Sequence, residues 1–447
     1  MNNLLQNKKI LILGFSITGI ACAKYFASKN ANVFISEFGE KKEKDEAKIK
    51  ELKELKINIE FNGHSEDFIN GSEFCILSPS IPTDSKILTT LKEKHIPYYS
   101  DIEYVSKNNN DKLVVITGTN GKTTTTALVS HILSQQFNAP YCGNIGISPM
   151  EYLDKKTDYF VIEASSYQLN YSPTIAPKIG IFCNLTPDHI LWHKTIENYF
   201  EAKAKPFRNM DETCHAILNY DDEMTKKLGE EIKAQVYYFS LKKQNIKNCI
   251  YLENDEIKLN NEKIINIKDL QIVGAHNIQN AMCAIMASKI TGLDNKTICE
   301  GLKSFKAIEH RLEYIRTIDE TDYYNDSKAT NPEASIVAIN SFDNKKVVLI
   351  AGGRDKKTTL KDFIKAVKEK ISKVILIGEA TERFKNELSN NGYLNIVNSK
   401  TLEEAIDIAS LDKPDVVLLS PACASFDMFE SYEKRGDAFK NYVLSKK

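Results

Sequence analysis

The segment KLVVITGTNGKTTTTALVSHILSQQ (Lys112–Gln136) decides the fold of the central part of this 447-residue chain. Its apolar start (Lys112–Gly118) predicts a buried strand, and Lys122–Gln136 predicts a helix. The glycines between them let backbone N–H groups approach phosphate oxygens, and the helix N-terminus adds a partial positive charge. The segment therefore predicts a phosphate-binding loop in which Lys122 reaches the β/γ phosphates and the Thr123 hydroxyl binds Mg²⁺.

This loop departs from the general phosphate-loop pattern at one position. The pattern requires glycine where the chain has Ile116, so the spacing here is G-T-N-G-K-T. The alternative is a coincidental Gly-Lys-Thr at the start of a helix. The flanking strand and helix favour the phosphate loop.

Strands and helices continue to alternate after this segment. Asp158–Ser166 and Lys178–Thr186 predict two more buried strands, and continuous apolar strands between helices indicate a parallel sheet covered on both faces. Short charged strands in 237–270 predict a small extra sheet. Helices over His276–Thr291 and Lys296–Phe305 close this part of the chain.

Two further α/β units flank the central one. The first has strands at Lys9–Gly14 and Asn32–Ser36, and the last has strands at Lys346–Gly353, Lys373–Gly378 and Asp415–Pro421. We therefore predict three α/β domains: a Rossmann-like domain over residues 1–100, a P-loop-type parallel-sheet ATPase domain over 101–307, and a Rossmann-like domain over 308–447.

Bulk composition excludes several classes of protein. The chain has 59 Lys and Arg against 60 Asp and Glu, so no overall positive field attracts nucleic acid. Its nine cysteines are scattered without a C-x-x-C pair, which fits a reducing compartment. The apolar run before Gly14 is too short for a signal peptide, and no run reaches membrane length. We expect a cytoplasmic protein without nucleic-acid or membrane partners.

The first glycine turn, Gly14–Gly19, is a second candidate nucleotide site. A dinucleotide fingerprint needs glycine where Ser16 stands, which argues against an NAD-dependent oxidoreductase. Glu37 lies at the end of the next strand, where an acidic residue can bind a ribose or a base edge. The alternative is a turn that only packs the helix against the strand.

Two polar residues near strand ends are metal candidates. Glu163 ends a strand, where ligands gather in open α/β sheets, although a helix-capping role is the alternative. The loop after the next strand carries Asp188 and His189, either of which is expected over the same site. A lone histidine is more often a structural hydrogen-bonding group, and we interpret His193 in that way.

The helix Thr195–Phe207 carries Lys203 and Lys205. Helix lysines are normally solvated, and that is the expectation for both from the residues alone.

Taken in order, a series of motifs resembles the Mur ligase family over nearly the whole chain. The specific parts are NDSKATN (Asn325–Asn331) and SPACASFD (Ser420–Asp427), which point to the member that adds D-glutamate. The other motifs are GTNGKTT, GNIG (Gly143–Gly146), EASSYQL (Glu163–Leu169), NLTPDH (Asn184–His189), EAKAK (Glu201–Lys205), AHNIQNA (Ala275–Ala281), EHRLE (Glu309–Glu313) and AGGRDK (Ala351–Lys356).

The resemblance implies a nucleotide-sugar domain, an ATP/Mg²⁺ domain and a mobile amino-acid domain, in that order. It makes Glu163 and His189 Mg²⁺ ligands beside Thr123, and it matches Lys203 to the family's carbamylated lysine, with Lys205 as the competing assignment. A carbamate is an anionic oxygen ligand, whereas an ammonium repels Mg²⁺. The implied ATP contacts are Gly118, Thr119, Asn120, Gly121, Lys122, Thr123, Thr124, Asn277, Arg311 and Asp326.

The resemblance also implies two substrates, UDP-N-acetylmuramoyl-L-alanine and D-glutamate. Two lysines and two hydroxyls in the D-glutamate set suit a dicarboxylate. The chain departs from the family at Glu37, where Asp is usual, at Leu191 and Trp192, which replace a polar pair, and at Asn170 and Met428. The implied nucleotide-sugar contacts are Ile17, Thr18, Glu37, Ser78, Asn144 and His189; the implied D-glutamate contacts are Lys328, Thr330, Lys356, Ser425 and Phe426.

The implied reaction passes through an acyl phosphate, formed when the alanine carboxylate attacks the γ-phosphate of ATP and ADP leaves. Lys122, Glu163, His189 and Lys203 are the expected catalytic residues. We expect a monomer whose C-terminal domain closes during the reaction, since an acyl phosphate must be kept from water. The alternatives are another Mur-type or a folylpolyglutamate-type amide ligase, and a regulatory P-loop ATPase without synthetic activity.

Overall fold

The computed structural model describes residues 4–107, 109–306, 308–342 and 344–446. The predicted domain boundary at residue 307 lies outside the described residues, as does the side chain of Leu191. The chain forms two compact units, one of Met1–Ile267 with Gln279–Leu302 and one of Lys268–Ile278 with Lys303–Lys447. The first unit contains two β-sheets and the second contains one.

The first sheet is fully parallel and has the strand order β3-β2-β1-β4-β5. Its central strand is buried on both faces because helices cover both: Ile10 and Ile12 pack with Phe26, whereas Leu11 and Leu13 pack with the opposite cluster. The elements are β1 (Lys9–Leu13), α1 (Ile17–Ser28), β2 (Asn32–Ser36), α2 (Glu46–Glu54), β3 (Asn58–Glu60), α3 (Glu66–Ile69), β4 (Phe74–Leu77), α4 (Lys86–Glu93), β5 (Tyr98–Tyr99) and α5 (Asp101–Ser106).

The second sheet has nine strands in the order β14-β13-β12-β11-β10-β9-β6-β8-β7. Strands β7 to β12 run parallel with β6, and β13 and β14 form an antiparallel edge. The elements are β6 (Leu113–Thr117), α6 (Lys122–Leu133), β7 (Tyr141–Gly143), β8 (Phe160–Glu163), α7 (Ser166–Asn170), β9 (Ile179–Phe182), α8 (Ile190–His193), α9 (Ile196–Arg208), β10 (His215–Asn219), α10 (Glu223–Glu231), β11 (Gln235–Ser240), β12 (Cys249–Glu253), β13 (Glu256–Leu259), β14 (Glu262–Asn266), α11 (Ala275–Ile290) and α12 (Asn295–Ser304).

The prediction of a small extra sheet in 237–270 is wrong. Its strands extend the main sheet, because β12 pairs in parallel with β11 through Tyr238↔Cys249 and Phe239↔Ile250. An unpaired edge of a long buried sheet leaves its backbone groups unsatisfied, and short charged strands are well suited to cover it.

The third sheet has the order β15-β16-β20-β17-β18-β19 and is parallel apart from the β15–β16 pair. Its elements are β15 (Glu313–Ile318), β16 (Thr321–Asn325), α13 (Pro332–Ile339), β17 (Val347–Gly352), α14 (Lys361–Lys370), β18 (Ile371–Ile377), α15 (Thr381–Asn390), β19 (Ile396–Asn398), α16 (Leu402–Leu411), β20 (Val416–Leu419) and α17 (Tyr432–Ser445).

The predicted class, parallel α/β sheets covered by helices, is confirmed. The predicted strand at Asn32–Ser36 coincides with β2, and the helix predicted over His276–Thr291 coincides with α11 within one residue at each end. Within the described part of the chain, no helix has both the length and the apolar character needed to span a bilayer.

Candidate active site

The loop between β6 and α6 has the backbone that a phosphate cradle requires. Gly118 has φ +144° and Gly121 has φ +81°, both in the region that favours glycine. A Cβ on Gly121 would lie 2.5 Å from Asn280 Oδ1, and one on Gly118 would lie 3.2 Å from the backbone N of Asn184. Both glycines are therefore favoured by conformation, and at Gly121 a Cβ would also clash with Asn280.

The side chain of Asn184, which follows β9, fixes the phosphate loop in place. Its Oδ1 accepts from Asn120 N at 2.9 Å, and its Nδ2 donates to Asn120 O at 3.1 Å. The backbone O of Asn184 also accepts from Thr119 N at 2.9 Å. Asn184 is not among the predicted site residues, although its place directly after a buried strand is the signal that applies to Glu163.

Two lysines converge on the carbonyl of Gly118. Lys122 Nζ donates to it at 3.0 Å, and Lys203 Nζ donates to it at 2.7 Å. Lys203 is only 1% exposed and lies over the Tyr199 ring, so the expectation of a solvated lysine is wrong. Burial first, and then the nearby charge of Lys122, lowers the pKa of Lys203 well below its usual value. Lys205 is half-buried, and its Nζ donates instead to Asn170 O at 2.9 Å.

Glu163 ends β8 with one carboxylate oxygen in use. Its Oε1 accepts from Asn144 Nδ2 at 2.9 Å, whereas its buried Oε2 has no hydrogen-bond donor among the described residues. The neighbouring helix α7 is capped by Ser165, so the helix-capping alternative for Glu163 is wrong. A buried carboxylate oxygen without a hydrogen bond is the type of ligand that Mg²⁺ prefers.

His189 and His193 differ in their surroundings. His189 has φ +54° and is about half-exposed, with Nε2 3.4 Å from Asp188 Oδ2. Burial lowers the pKa of His189 although Asp188 opposes it, which favours the neutral imidazole that binds metals. His193 is buried, its Nε2 lies 2.9 Å from Ser166 Oγ, and burial lowers its pKa to about 4. This placement agrees with the prediction that His193 is a structural, hydrogen-bonding residue.

No preformed cluster of three or more His, Cys, Asp or Glu side chains suited to a metal occurs in the described part of the chain. The proposed Mg²⁺ set contains only two such residues, Glu163 and His189. A hydroxyl, a modified lysine and phosphate oxygens complete it, so the residues present fit a cation that arrives with a triphosphate.

A cavity of about 670 Å³ lies within the first unit, beside the N-terminus of α1. Four of the implied nucleotide-sugar residues, Ile17, Thr18, Ser78 and Asn144, are among the residues that line it. The remaining lining residues are Ser16, Pro79, Ser80, Gly143, Gly146, Ser165, Tyr167, Gln168 and Trp192.

Glu37 is not among the described residues that line this cavity. Its Oε2 accepts from Phe15 N at 2.7 Å, and its Oε1 accepts from Gly39 N at 2.8 Å. In this structure the carboxylate therefore organises the glycine turn. Ser16, which breaks the dinucleotide fingerprint, caps α1 by accepting from Gly19 N at 3.1 Å.

The second unit has its own polar centre around Asp326, at the end of β16. Asp326 Oδ2 accepts from Ser420 Oγ at 2.7 Å, and Oδ1 accepts from Leu312 N at 3.1 Å. Burial raises the pKa of Asp326 to about 7. The buried Arg435 guanidinium donates to Ser327 Oγ at 2.9 Å and ties this segment to α17.

The implied D-glutamate residues also lie in the second unit. Lys328 Nζ donates to Tyr432 OH at 2.5 Å, and Lys356 Nζ donates to Thr330 O at 3.2 Å. The buried Ser425 Oγ has no partner among the described residues, and Phe426 is 67% exposed. Within this unit both lysines are therefore hydrogen-bonded, whereas the buried Ser425 hydroxyl has no partner among the described residues.

Comparison with known proteins decides the family. Over 98% of both chains, this protein is 39% identical to the UDP-N-acetylmuramoylalanine–D-glutamate ligase of Thermoanaerobacter pseudethanolicus. The protein of the same name from Clostridioides difficile is 36% identical, over 98% of this chain and 99% of its own. The chain belongs to the Mur ligase family.

Three domain models of the Mur ligases match successive parts of the chain. They are a MurD-like N-terminal domain over residues 8–100, a Mur ligase middle domain over 116–288 and a glutamate ligase domain over 310–423. Solved structures agree in fold: UDP-N-acetylmuramate-alanine ligase from Thermotoga maritima superimposes with TM-score 0.60 at 22% identity, covering 98% of this chain and 100% of its own. MurF from Acinetobacter baumannii gives 0.61 at 16% identity, covering 98% and 93%.

In this Mur ligase, the implied site residues are divided between the two units. The first unit contains the phosphate loop with Thr123 and Thr124, together with Glu163, His189 and Lys203. The second contains three residues implied to contact ATP, Asn277, Arg311 and Asp326, and all the residues implied to bind D-glutamate.

Proposed function

We propose that this Mur ligase uses ATP and Mg²⁺ to join D-glutamate to the alanine carboxylate of UDP-N-acetylmuramoyl-L-alanine, a step in peptidoglycan precursor synthesis. The relatives that carry this activity in their names are 35–39% identical over at least 98% of the chain. The structural observation that carries the proposal is Lys203, buried and bonded to the Gly118 carbonyl inside the phosphate loop.

Lys203 suits carbamylation because of its surroundings. The lowered pKa raises the fraction of neutral amine, and a neutral amine is the form that adds carbon dioxide. The resulting carbamate would add an oxygen ligand beside the half-satisfied carboxylate of Glu163. Thr123, Glu163, His189 and carbamylated Lys203 would then hold Mg²⁺, which supplies charge neutralisation on the phosphates when bound.

The first chemical step joins two anions, the alanine carboxylate and the γ-phosphate. Its barrier is lowered mainly by positioning and by positive charge at the transferring phosphoryl group. Lys122 sits at the start of α6 with its Nζ folded over the loop, 2.8 Å from Thr119 O. We infer that this ammonium turns from the loop carbonyls to the phosphate oxygens when ATP binds.

The second step requires D-glutamate, whose amine attacks the acyl phosphate as inorganic phosphate leaves. D-Glutamate carries two carboxylates, and we assign them to Lys328 and Lys356, with Thr330, Ser425 and Phe426 completing the pocket. The contacts Lys328–Tyr432 and Lys356–Thr330 hold both ammonium groups in defined positions, which lowers the entropic cost of binding.

Phosphate release tests this proposal directly. ATP plus UDP-N-acetylmuramoyl-L-alanine should give rapid release with D-glutamate and little with L-glutamate, L-lysine or meso-diaminopimelate. Preference for another amino acid would move the chain to a different Mur ligase activity. Release that does not depend on the uridine nucleotide would favour folylpolyglutamate-type ligation instead.

A further inference from the structure

Lys356, one of the two lysines assigned to a D-glutamate carboxylate, lies in an irregular segment between β17 and α14. The segment starts from a fixed point, because Arg354 N donates to Ala424 O at 2.8 Å, directly before Ser425. Residues 355–359 then have no regular secondary structure, and we call them the Lys356 loop. The position of the Lys356 ammonium therefore depends on the contacts that order this loop.

One side chain from helix α15, Arg383, makes three hydrogen bonds to the Lys356 loop. Its Nε and Nη2 donate to the two carboxylate oxygens of Asp355, both at 2.7 Å, and its Nη1 donates to Thr358 O at 3.2 Å. Among the described residues, the loop has one other hydrogen bond to a neighbouring segment, from Lys356 Nζ to Thr330 O. Arg383 thus binds the loop on both sides of Lys356.

The contact between Arg383 and Asp355 has the geometry of a strong ion pair. Two parallel N–H donors on one carboxylate fix the orientation of both groups, which a single contact between exposed charges does not. The side chains are only partly exposed, 29% for Arg383 and 12% for Asp355. The hydrogen bonds from Arg383 lower the pKa of Asp355 below its usual value, so the carboxylate remains ionised and the pair remains intact near neutral pH.

We propose that Arg383 is a positioning residue for D-glutamate, which holds the Lys356 loop in the conformation in which Lys356 meets a substrate carboxylate. The inference rests on the proposed function and deepens it, because Arg383 lies outside the set of residues implied to contact D-glutamate. Arg383 acts through Asp355 and the loop backbone. Its loss should therefore weaken the binding of one substrate and leave the ATP site of the first unit unchanged.

Steady-state kinetics of Arg383→Ala tests the proposal. We expect the KM for D-glutamate to rise about tenfold, because the apparent affinity falls with the fraction of molecules whose loop is in the binding conformation. The kcat at saturating D-glutamate and the KM values for ATP and the nucleotide sugar should stay within about twofold of wild type. A variant that had only lost folded protein would show a lower kcat at unchanged KM, and that result would overturn the proposal.

Arg354→Ala is the matched control. Arg354 Nε donates to Glu379 Oε2 at 2.9 Å, but both side chains are about half exposed, and such pairs contribute little. This variant should keep the KM for D-glutamate within about twofold of wild type. Arg383→Lys retains the charge without the two parallel donors, so it should retain most of the defect. An equal rise in KM for Arg354→Ala, or full rescue by Arg383→Lys, would show that charge alone matters and would overturn the proposal.

Limited digestion with trypsin measures the order of the loop directly. Cleavage after Lys356 and Lys357, followed by mass spectrometry, should be faster in Arg383→Ala than in the wild type or in Arg354→Ala, and equal rates would count against the proposal. If the wild-type enzyme released no phosphate with D-glutamate, the proposed function would fail and this inference with it. An active wild type and an Arg383→Ala variant with an unchanged KM for D-glutamate would overturn this inference alone.

Discussion

Removing the Asn184 side chain should loosen the phosphate loop without altering the loop sequence. Asn184→Ala deletes two hydrogen bonds to the backbone of Asn120, at 2.9 and 3.1 Å, and keeps the backbone contact to Thr119. Each such bond contributes about 0.5–1.5 kcal/mol, so the loop loses about 1–3 kcal/mol of support. The apparent affinity for ATP falls in proportion to the fraction of molecules whose phosphate loop is in the ATP-binding conformation.

The expected result is a weaker ATP complex. At about 1.4 kcal/mol per tenfold, the range is about 5-fold to 100-fold, and the partial exposure of Asn184 favours about tenfold. Titration calorimetry with a non-hydrolysable ATP analogue and Mg²⁺ measures it, and phosphate release at saturating ATP should recover much of the rate.

A matched variant separates loop support from general destabilisation. Asn209 also makes two side-chain bonds to backbone, its Nδ2 donating to Pro173 O at 3.0 Å and Ile175 O at 3.1 Å, outside the phosphate loop. Asn209→Ala should therefore lose comparable stability and keep wild-type ATP affinity. Equal ATP affinities in the two variants would refute the assignment of Asn184 as the residue that holds the loop.

Three further substitutions test other parts of the site. Glu163→Gln should raise the Mg²⁺ concentration needed for half-maximal phosphate release by about 10-fold to 100-fold, because a neutral amide is a poorer ligand; an unchanged Mg²⁺ titration would remove Glu163 from the metal set. Lys328→Ala should raise the KM for D-glutamate at least about tenfold and leave ATP affinity intact, and loss of both would contradict the assignment. Burial raises the pKa of Asp326 to about 7. Between about pH 4 and 7 the folded chain therefore binds more protons than the unfolded chain. The stability that this group contributes is lost as the pH rises through that window. The Asp326→Asn variant should not show that loss. Between pH 5 and pH 8, its unfolding free energy measured by urea titration should rise by about 2–3 kcal/mol relative to that of the wild type. Parallel pH profiles for the two proteins would disprove the raised pKa.

Local patterns predicted much of the site because they act over a few residues. Glycines at 118 and 121 were predictable from the phosphate-loop motif, and their positive φ angles are the reason that motif needs them. The sequence also contains a signal for the burial of Lys203. Tyr199, Lys203 and Phe207 are spaced by four residues on α9, and both aromatic residues are buried, so a lysine between them lies on the same inward face.

Other features depended on contacts between distant segments. Asn184 and Asn120 are in contact because β9 lies beside β6. The apolar periodicity of a strand does not predict which strand will be its neighbour in the sheet. The same reason explains the wrong prediction for 237–270. The sequence of 237–270 predicted β-strands there, but it did not predict that β12 would pair with β11 instead of forming a separate sheet.

By itself the sequence determined the class of fold, the phosphate loop and the family, because apolar periodicity, glycine spacing and ordered motifs are properties of the chain alone. The tertiary structure decided the chemical state of the site. Packing desolvates Lys203 and lowers its pKa, leaves Glu163 Oε2 without a hydrogen-bond partner among the described residues, and engages Glu37 in the glycine turn. Desolvation and hydrogen-bond satisfaction depend on every neighbour in space, and those neighbours are chosen only when the chain folds.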